Sequence, residues 1–144
     1  GKIAADNAMG KNKSINYDLI PFTVFAKPEV ASVGCFAEKA HFKGFRGIEG
    51  SVQSKNLDFS FLGSKNEGFF KVVADARSGM VIGGQIVSPN ASQLISLITL
   101  AIKRGMKIGA LVSLVSDKSG EIEGIRESAR QCSSGIKLNI KACK

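Results

Sequence analysis

The chain has 144 residues, of which 44% are hydrophobic and 22% are charged, and its 20 basic and 12 acidic side chains give a formal net charge of +8. This length can bury a hydrophobic core in one domain, and the composition excludes a disordered chain. No apolar run approaches the roughly 20 residues of a membrane-spanning helix, and the N-terminus lacks the apolar segment of a secretory signal peptide.

The first segment, KIAADNAMG, is predicted to be the end of a helix. It is rich in alanine, and Gly10 stands where a C-terminal cap is expected. Because the chain begins with Gly1 rather than Met, we expect it to be a piece of a longer protein. Residues 1–19 would then be the remnant of a preceding domain's last helix together with a linker, which Pro21 closes.

Strands are predicted next. Two β-rich runs, at residues 22–26 and 29–36, flank Pro28, and AEKAHFKG then predicts a short helix. Residues 50–62 predict one or two further strands, because apolar side chains alternate from residue 57 to residue 61. The clearest β-hairpin follows, with runs at residues 69–74 and 80–87 around the turn DARSG.

Two glycines, Gly83 and Gly84, interrupt the second strand of that hairpin. A glycine inside a strand weakens it and leaves no side chain to pack, so it usually marks a bulge or a close approach of another backbone. We therefore expect one of these two features in the second strand.

Three helices are predicted in the last third of the chain. PNASQLISLITLAIKRG is the best of them, with Asn90 as its N-cap and Gly105 at its end, and KIGALVSLV and GEIEGIRESARQC follow. Two of them carry an apolar face with helical spacing. These faces are Ala91, Leu94, Ile95, Ile98, Ala101 and Ile102 in the first helix, and Ile122, Ile125, Ala129 and Cys132 in the third.

The order of these elements is strands first, a hairpin in the middle and helices last. A doubly wound parallel sheet would instead alternate strands and helices along the chain. The sequence therefore favours an α+β fold, with a mostly antiparallel sheet and helices packed on one side.

A search for catalytic chemistry finds no glycine-rich nucleotide motif, no nucleophile elbow and no zinc-binding HExxH pattern. Glu121 and Glu123 lie two residues apart on a helix and point to different faces, so they make a weak acid–base pair. The single histidine, His41, is expected at the surface.

Three cysteines without metal-ligand spacing or a secretory signal suit a reducing compartment, so we expect a cytoplasmic protein.

The positive charge allows an alternative function. A net charge of +8 could indicate an acidic partner such as nucleic acid. However, no three basic residues are consecutive, and the chain has one tyrosine and no tryptophan. Nucleic-acid surfaces usually combine clustered charge with stacking aromatics. Solvated surface charge is the favoured interpretation, and a free-standing basic protein-interaction or nucleic-acid-binding module stays as the alternative.

The stretch IPFTVFAKPEVASVG resembles the opening of a known domain. It is similar to the start of the C-terminal dimerisation domain of the FAD-dependent pyridine nucleotide-disulfide oxidoreductases, which include dihydrolipoamide dehydrogenase, glutathione reductase and mercuric reductase. That opening has the pattern I-P-x-x-[VI]-F-T-x-P-E-[VI]-A-x-V-G. The matching residues are Ile20, Pro21, Phe25, Pro28, Glu29, Ala31, Val33 and Gly34.

The resemblance continues through GFFKVVADARSGMVIGGQIVSPNASQLI, which is similar to the family's hairpin and following helix, with Gln93 in place of an acidic residue. The N-terminal GKIAADNAMG resembles the last helix of the family's FAD domain. The resemblance implies a dimerisation domain at residues 20–132 and a C-terminal tail at residues 133–144. It also implies a homodimer whose parent chain carries FAD and NAD(P) domains, with FAD and NAD(P)H as cofactors of the parent and none in this fragment.

In that family the domain supplies a His-Pro-x-x-x-Glu segment to the partner subunit's redox disulfide. Aligning EGIRESAR with the family places the glutamate at Glu123 and the histidine position at Lys118, with Ser119 at the proline position. A lysine with an ordinary pKa of about 10.4 is a poor thiol base at neutral pH. Either the chain is a degenerate paralogue that lost histidine function, or its parent has a changed substrate.

Mercuric reductases also lack that histidine, and their VEGLKLAAQ is similar to IEGIRESARQ here. They end in a vicinal cysteine pair that relays metal, whereas this chain has Cys132 and a single near-terminal Cys143. These two thiols are therefore weak metal candidates.

The subunit contact implied by the resemblance is expected at Leu97 and Leu100, which lie off the apolar face of the predicted helix that contains them.

Overall fold

A computed structural model describes residues 1–57, 68–115 and 120–142 of the chain, with residues 137–142 described by their backbone alone. Five β-strands lie in this part of the chain, and they form one sheet in the order β1-β2-β5-β4-β3 with every neighbouring pair antiparallel. The antiparallel sheet expected from the sequence is confirmed. The strands are β1 (Phe22–Val24), β2 (Glu29–Gly34), β3 (Gly47–Gln53), β4 (Phe69–Asp75) and β5 (Val81–Ser88).

Four α-helices are described. They are α1 (Lys2–Ala8), α2 (Ala91–Lys103), α3 (Ile108–Val112) and α4 (Ile122–Ala142), and short 3₁₀ helices lie at Tyr17–Leu19, Ala37–Lys43 and Ser54–Asn56. The helix predicted to end at Cys132 continues ten residues further, and Ile136 in this extension is buried in the core. None of the helices in the described ranges is long and apolar enough to cross a membrane.

Helices α2, α3 and α4 cover one face of the sheet, as the alternation of side chains along the strands requires. On this covered face, Ala31 and Val33 of β2 and Phe70 and Val72 of β4 are almost completely buried against the helices. The predicted apolar stripe of α2 is confirmed, since its fully buried members are Ala91, Ile95, Ile98 and Ala101. In α4, Ile125, Ala129 and Cys132 are buried as predicted, whereas Ile122 is more than one third exposed.

The opposite face of the sheet is covered only in part. At one end, the 3₁₀ helix Ala37–Lys43 packs on it and forms a small second cluster with Cys35, Val73 and Ile82. At the other end, around β1 and β2, the face carries the exposed side chains of Phe22, Val24 and Val30. We call this second part, together with Gln85 of β5, the open face.

The glycines of β5 have the close backbone approach that the sequence predicted. A Cβ placed on Gly83 would lie 2.0 Å from the carbonyl oxygen of Cys35, so a side chain there would clash with the backbone that follows β2. Gly34 ends β2 with a φ of +71°, a left-handed conformation that glycine adopts without strain. The chain therefore leaves β2 by a tight turn that crosses directly over β5.

The turn of the central hairpin is organised by Asp75. Its carboxylate accepts hydrogen bonds from the backbone N–H of Arg46 (2.9 Å), from the backbone N–H of Ser78 (3.0 Å) and from the Ser78 hydroxyl (2.6 Å). Burial alone would raise the pKa of Asp75, but these bonds and a further one from the Arg77 backbone hold that pKa below its ordinary value. Asp75 thus fixes the DARSG turn and ties it to the start of β3.

Candidate functional site

Helix α2 is the element on which the expected subunit contact lies. Leu100 is half exposed, on the side of α2 that faces away from the sheet, where the side chains of Gln93, Ser96 and Lys103 are also exposed. Leu97 is only partly exposed and packs against the core. Of the two leucines expected at a subunit interface, Leu100 is therefore the one that the fold presents outward.

The start of α2 is held by a residue from a distant strand. The backbone N–H of Ser92 donates to Glu29 Oε2 at 2.9 Å, and this bond, with a second from the Ser92 hydroxyl, lowers the pKa of Glu29. A carboxylate at a helix N-terminus satisfies a free N–H and interacts favourably with the helix dipole. The glutamate of the KPEVA stretch therefore links the start of β2 to α2.

Asn90 has a different role from the one that the sequence predicted. It occupies the N-cap position of α2, but its side chain makes no capping bond. Instead, Asn90 Nδ2 donates to Glu121 Oε2 at 2.7 Å. This contact joins the beginning of α2 to the residues just before α4, so both helices begin at the same end of the molecule.

Glu123 lies in the first turn of α4, where the family resemblance places a functional carboxylate. Both of its oxygens are engaged: Arg126 Nε donates to Oε2 at 2.8 Å, and Arg126 Nη2 donates to Oε1 at 2.6 Å. Bidentate pairs of this kind are strong and fix the orientation of both groups. The Glu123 carboxylate is therefore oriented by its own helix.

A second pair of the same design follows one turn later, because Arg130 binds both oxygens of Glu127 at 2.7 Å. The hydrogen bond from Arg130 lowers the pKa of Glu127. Glu123, Arg126 and Glu127 form the charged wall of a groove between α4 and the end of β3. The groove is lined by Val52, Asn56, Leu57, Glu123, Arg126, Glu127 and Gln131.

The remaining predicted site residues lie apart from this groove or outside the described part of the chain. Cys132 is fully buried, its thiol lies 3.4 Å from the carbonyl oxygen of Ile48, and burial raises its pKa to about 11. A thiol in this state is protonated at neutral pH, and metals bind the thiolate. Lys118 and Cys143 lie outside the described residues, as do residues 58–62 of the predicted strand segment.

His41 is exposed in the 3₁₀ helix Ala37–Lys43, the surface position that was expected. Across residues 1–57, 68–115 and 120–142, no three His, Cys, Asp or Glu side chains come close enough together to hold a metal ion. Four lysines of the described ranges pair with carboxylates: Lys11 and Lys13 with Asp6, Lys43 with Asp18, and Lys71 with Glu49.

Sequence reasoning missed two contacts, the one between Glu29 and Ser92 and the one between Asn90 and Glu121. The KPEVA motif was a signal for Glu29, since it places a carboxylate directly after a proline break. Its partner, however, lies 63 residues away along the chain. No pattern within either segment could have paired the two.

Comparison with known proteins identifies the same domain along the chain. The family of the "pyridine nucleotide-disulphide oxidoreductase, dimerisation domain" matches residues 20–116. Dihydrolipoyl dehydrogenase 3 of Haloarcula marismortui is 32% identical over 130 residues, which are 90% of this chain and 27% of that protein. Mercuric reductase of Acidithiobacillus ferrooxidans is 31% identical over 137 residues, 95% of this chain and 25% of that protein.

The fold also matches solved structures. LpdA from Mycobacterium tuberculosis superposes with a TM-score of 0.78 at 27% identity, over 90% of this chain and 28% of that one. The flavoprotein disulfide reductase RclA from Escherichia coli superposes with a TM-score of 0.75 at 17% identity, over 90% of this chain and 30% of that one, which shows a shared fold. The chain spans about a quarter of the length of the curated relatives it matches.

Proposed function

Because the chain belongs to the pyridine nucleotide-disulphide oxidoreductase family and corresponds to its dimerisation domain, we propose that it forms the subunit interface of a longer homodimeric enzyme. That parent uses FAD and NAD(P)H, which are bound by other domains of the same chain. The curated relatives, dihydrolipoyl dehydrogenases and mercuric reductases, support a redox enzyme of this class. The comparisons give no support to a free-standing basic module.

The observation that carries the proposal is the placement of α2. Its inner side is packed into the core, its N-terminus is held by Glu29, and its outer side presents Leu100 to solvent. A rigid helix with an exposed apolar side chain in its last turn suits an isologous contact, in which the same surface of each subunit meets around a two-fold axis. We assign the subunit contact to this surface of α2.

The test uses the isolated chain of residues 1–144. We expect light scattering coupled to size exclusion to show a dimer at about 100 μM, because subunit contacts depend on concentration. Leu100→Asp is expected to give a folded monomer, since it places a charge in the interface without touching the core. The matched control is Val115→Asp, which adds the same charge at a fully exposed position. The assignment is contradicted if the unsubstituted chain is a monomer. It is also contradicted if the Leu100→Asp variant remains a dimer.

The second part of the proposal concerns the start of α4. We place the carboxylate that supports the partner's redox site at Glu123, and Lys118 where the family carries histidine. Arg126 holds Glu123 as an ion pair, so this carboxylate serves to orient neighbouring groups. The domain then comprises residues 20–132, preceded by residues 1–19 from the flavin domain, and residues 133–142 continue α4 as a helix.

This second part is tested in the full-length parent by Lys118→His and an assay of NAD(P)H-dependent disulfide reduction. An increase in kcat indicates that the parent lost histidine function, because a histidine is a better thiol base at neutral pH. An unchanged kcat together with turnover of a different substrate indicates a changed specificity. An active parent whose rates with all tested substrates are unchanged by both Lys118→His and Glu123→Gln contradicts the placement.

We place the parent in the cytoplasm. Of the three cysteines, Cys35 and Cys132 lie in the described residues, and both are free and buried. Free thiols are typical of proteins kept in a reducing compartment. Detection of the parent in a fractionated cell lysate tests this placement.

A further inference from the structure

Four exposed basic side chains have no acidic partner in the described part of the chain. No acidic residue lies between Asp75 and Asp117 in the sequence, although four basic residues do. All four are exposed, and none of the ion pairs within residues 1–57, 68–115 and 120–142 involves them. They are Arg77, Lys103, Arg104 and Lys107, and we call them the basic end.

The fold brings the basic end together from two segments of the chain. Arg77 lies in the DARSG turn between β4 and β5, whereas the other three residues lie at the end of α2 and just after it. The backbone N–H of Ile108 donates to the carbonyl oxygen of Gly79 at 2.8 Å, and Lys107 is paired with Met80 in an antiparallel bridge. The turn and the end of α2 therefore lie side by side.

The carboxylates near the basic end are already engaged. Asp75 is 5% exposed and accepts several hydrogen bonds within its own turn. Asp18 lines a pocket together with Met80 and Gly105, but its carboxylate forms an ion pair with Lys43. Neither group is left to neutralise the basic end, so the four positive charges face solvent.

Packing within the chain explains only part of this arrangement. Lys103 lies in the last turn of α2, where a positive charge interacts favourably with the helix dipole, and Arg104 follows it at the C-cap. Arg77 and Lys107 do not belong to α2, so the dipole of that helix does not account for them. Like charges brought together without counter-charges repel each other, which suits a surface that receives an acidic partner.

Two methionines lie among these charges. Met80 is paired with Lys107, Met106 precedes Lys107, and both methionines are partly exposed. Methionine and arginine are enriched at protein–protein interfaces, and the flexible thioether adapts to different apolar side chains. Residues 75–80 and 103–108 contain no aromatic residue on which a base could stack. The surface therefore fits a protein better than a nucleic acid.

We propose that the basic end is a docking surface for an acidic segment of another protein. The Asp and Glu side chains of that segment pair with the four basic residues, and an apolar side chain between them contacts Met80 and Met106. This contact goes beyond the proposed function, which assigns the outer side of α2 around Leu100 to the second subunit. Lys103 lies on that same side, so the test uses the other three basic residues.

The experiment uses the isolated chain of residues 1–144 and a fluorescently labelled acidic peptide in which glutamates flank a central leucine. Binding is followed by fluorescence anisotropy at an ionic strength of about 0.15 M, where charges more than a Debye length apart are largely screened. We expect saturable binding that weakens as salt is added. An unsubstituted chain that does not bind the peptide overturns the proposal.

The decisive comparison is between two variants that lose the same number of charges. Arg104→Gln with Lys107→Gln is expected to weaken peptide binding about fivefold or more, since each removes one charge pair. The matched control is Lys27→Gln with Lys55→Gln, which removes two exposed charges beside the start of β2 and after the end of β3, at the opposite end of the sheet. It is expected to change the affinity by less than about twofold. Equal losses in the two variants overturn the proposal, because they would show attraction to the net charge alone.

Arg77→Gln tests whether the surface is assembled by the fold. This substitution alone is expected to weaken binding by about twofold or more, because Arg77 lies beside the end of α2 in space. A contiguous motif at residues 103–107 would not respond to it. An affinity that Arg77→Gln leaves unchanged therefore overturns the surface as assigned.

A labelled oligothymidylate of the same charge as the peptide tests the other class of partner. We expect it to bind more weakly than the peptide. If it binds more tightly, and Arg104→Gln with Lys107→Gln removes that binding, the basic end is a nucleic-acid surface and the proposal is overturned.

Light scattering on the same samples separates this inference from the proposed function. A dimer that does not bind the peptide overturns the docking surface and leaves the subunit contact in place. A monomer that binds the peptide, and loses it in the basic-end variant but not in the control, supports the docking surface and contradicts only the subunit contact.

Discussion

The two faces of the sheet differ in how much of their packing the chain supplies. The covered face is closed by α2, α3 and α4, and Phe70, Val72 and Ile86 at its centre have no exposed surface. The open face is built from the same strands, yet Phe22 and Val30 contact solvent and the amide of Gln85 is unpaired in the described structure. The covered face therefore stabilises this fold, whereas the open face is suited to contacts with other protein surfaces.

The largest effect is expected at the centre of the covered face. Phe70→Ala removes a fully buried ring beneath α4, and such truncations cost about 3–5 kcal/mol because a cavity remains. Denaturant unfolding monitored by circular dichroism measures this loss. A cost below about 1 kcal/mol would mean that the helices do not pack on this face as described.

A second prediction adds volume to the covered face instead of removing it. A Cβ at Gly50 of β3 would lie 2.0 Å from the carbonyl oxygen of Ser128 and 2.4 Å from the backbone nitrogen of Cys132. Since α4 cannot approach β3 as closely with a methyl group there, Gly50→Ala is expected to cost about 3 kcal/mol.

Its control is Gly109→Ala in α3, where no atom lies within 4 Å of an added Cβ. That substitution is expected to stabilise the protein by up to about 1 kcal/mol, because alanine favours a helix more than glycine does. Equal effects of the two substitutions would contradict the close contact between α4 and β3. Thermal unfolding of both variants in parallel provides the comparison.

The third prediction concerns how the stability that Asp75 gives to the DARSG turn, between β4 and β5, depends on pH. Asp75→Asn removes a buried carboxylate that accepts several hydrogen bonds, and we expect a cost of about 1.5–3 kcal/mol at pH 7. The pKa of Asp75 is lower in the folded state than its unfolded value of about 3.9. Its stabilising contribution is therefore present above that value and is lost as the pH falls through the folded pKa.

The difference in unfolding free energy between the unsubstituted protein and Asp75→Asn should consequently shrink between about pH 5 and pH 2. Denaturant titrations at several pH values measure it. A difference that is constant across this range would show that the carboxylate charge does not contribute.

The smallest effect is expected on the open face. Phe22→Ser should change the unfolding free energy of the isolated chain by less than about 0.5 kcal/mol, because the ring is mostly exposed and contributes little to the core. The same substitution in β4, Phe70→Ser, should destabilise the protein severely. A large cost at Phe22 would mean that the isolated chain already buries its open face, and the contrast between the two faces would be wrong.

Most of the fold could be predicted from local patterns. The β-branched runs of β4 and β5, the turn chemistry of DARSG and the helical spacing in α2 each depend on neighbouring residues, and the structure contains all three. The outer end of α4 was missed, although Ile136 follows Cys132 by four residues at helical spacing and reaches the core. Asn90 was assigned as a cap from its residue type, although its amide bonds to Glu121 instead.

The candidate site was predicted less completely. Resemblance placed Glu123 at the start of α4, but only the folded helix shows that Arg126 engages both of its oxygens. Helical spacing placed Leu97 and Leu100 together off the apolar face of α2. The tertiary packing then separated them, since Leu97 packs against the core and Leu100 faces outward. Exposure is a property of the assembled layers, which a helical pattern alone does not contain.

The sequence by itself determined the antiparallel sheet, the order of its helices and the family to which the domain belongs, because these depend on short-range periodicity and on motifs that are contiguous in the chain. Only the tertiary structure decided which apolar residues stay exposed to other protein surfaces. It brought Glu29 to the N-terminus of α2 across 63 residues, and it placed Phe22 and Leu100 on opposite sides of the molecule. These relations depend on how the strands and helices pack in three dimensions, and the free energy of that packing comes from contacts between residues that are distant in the chain.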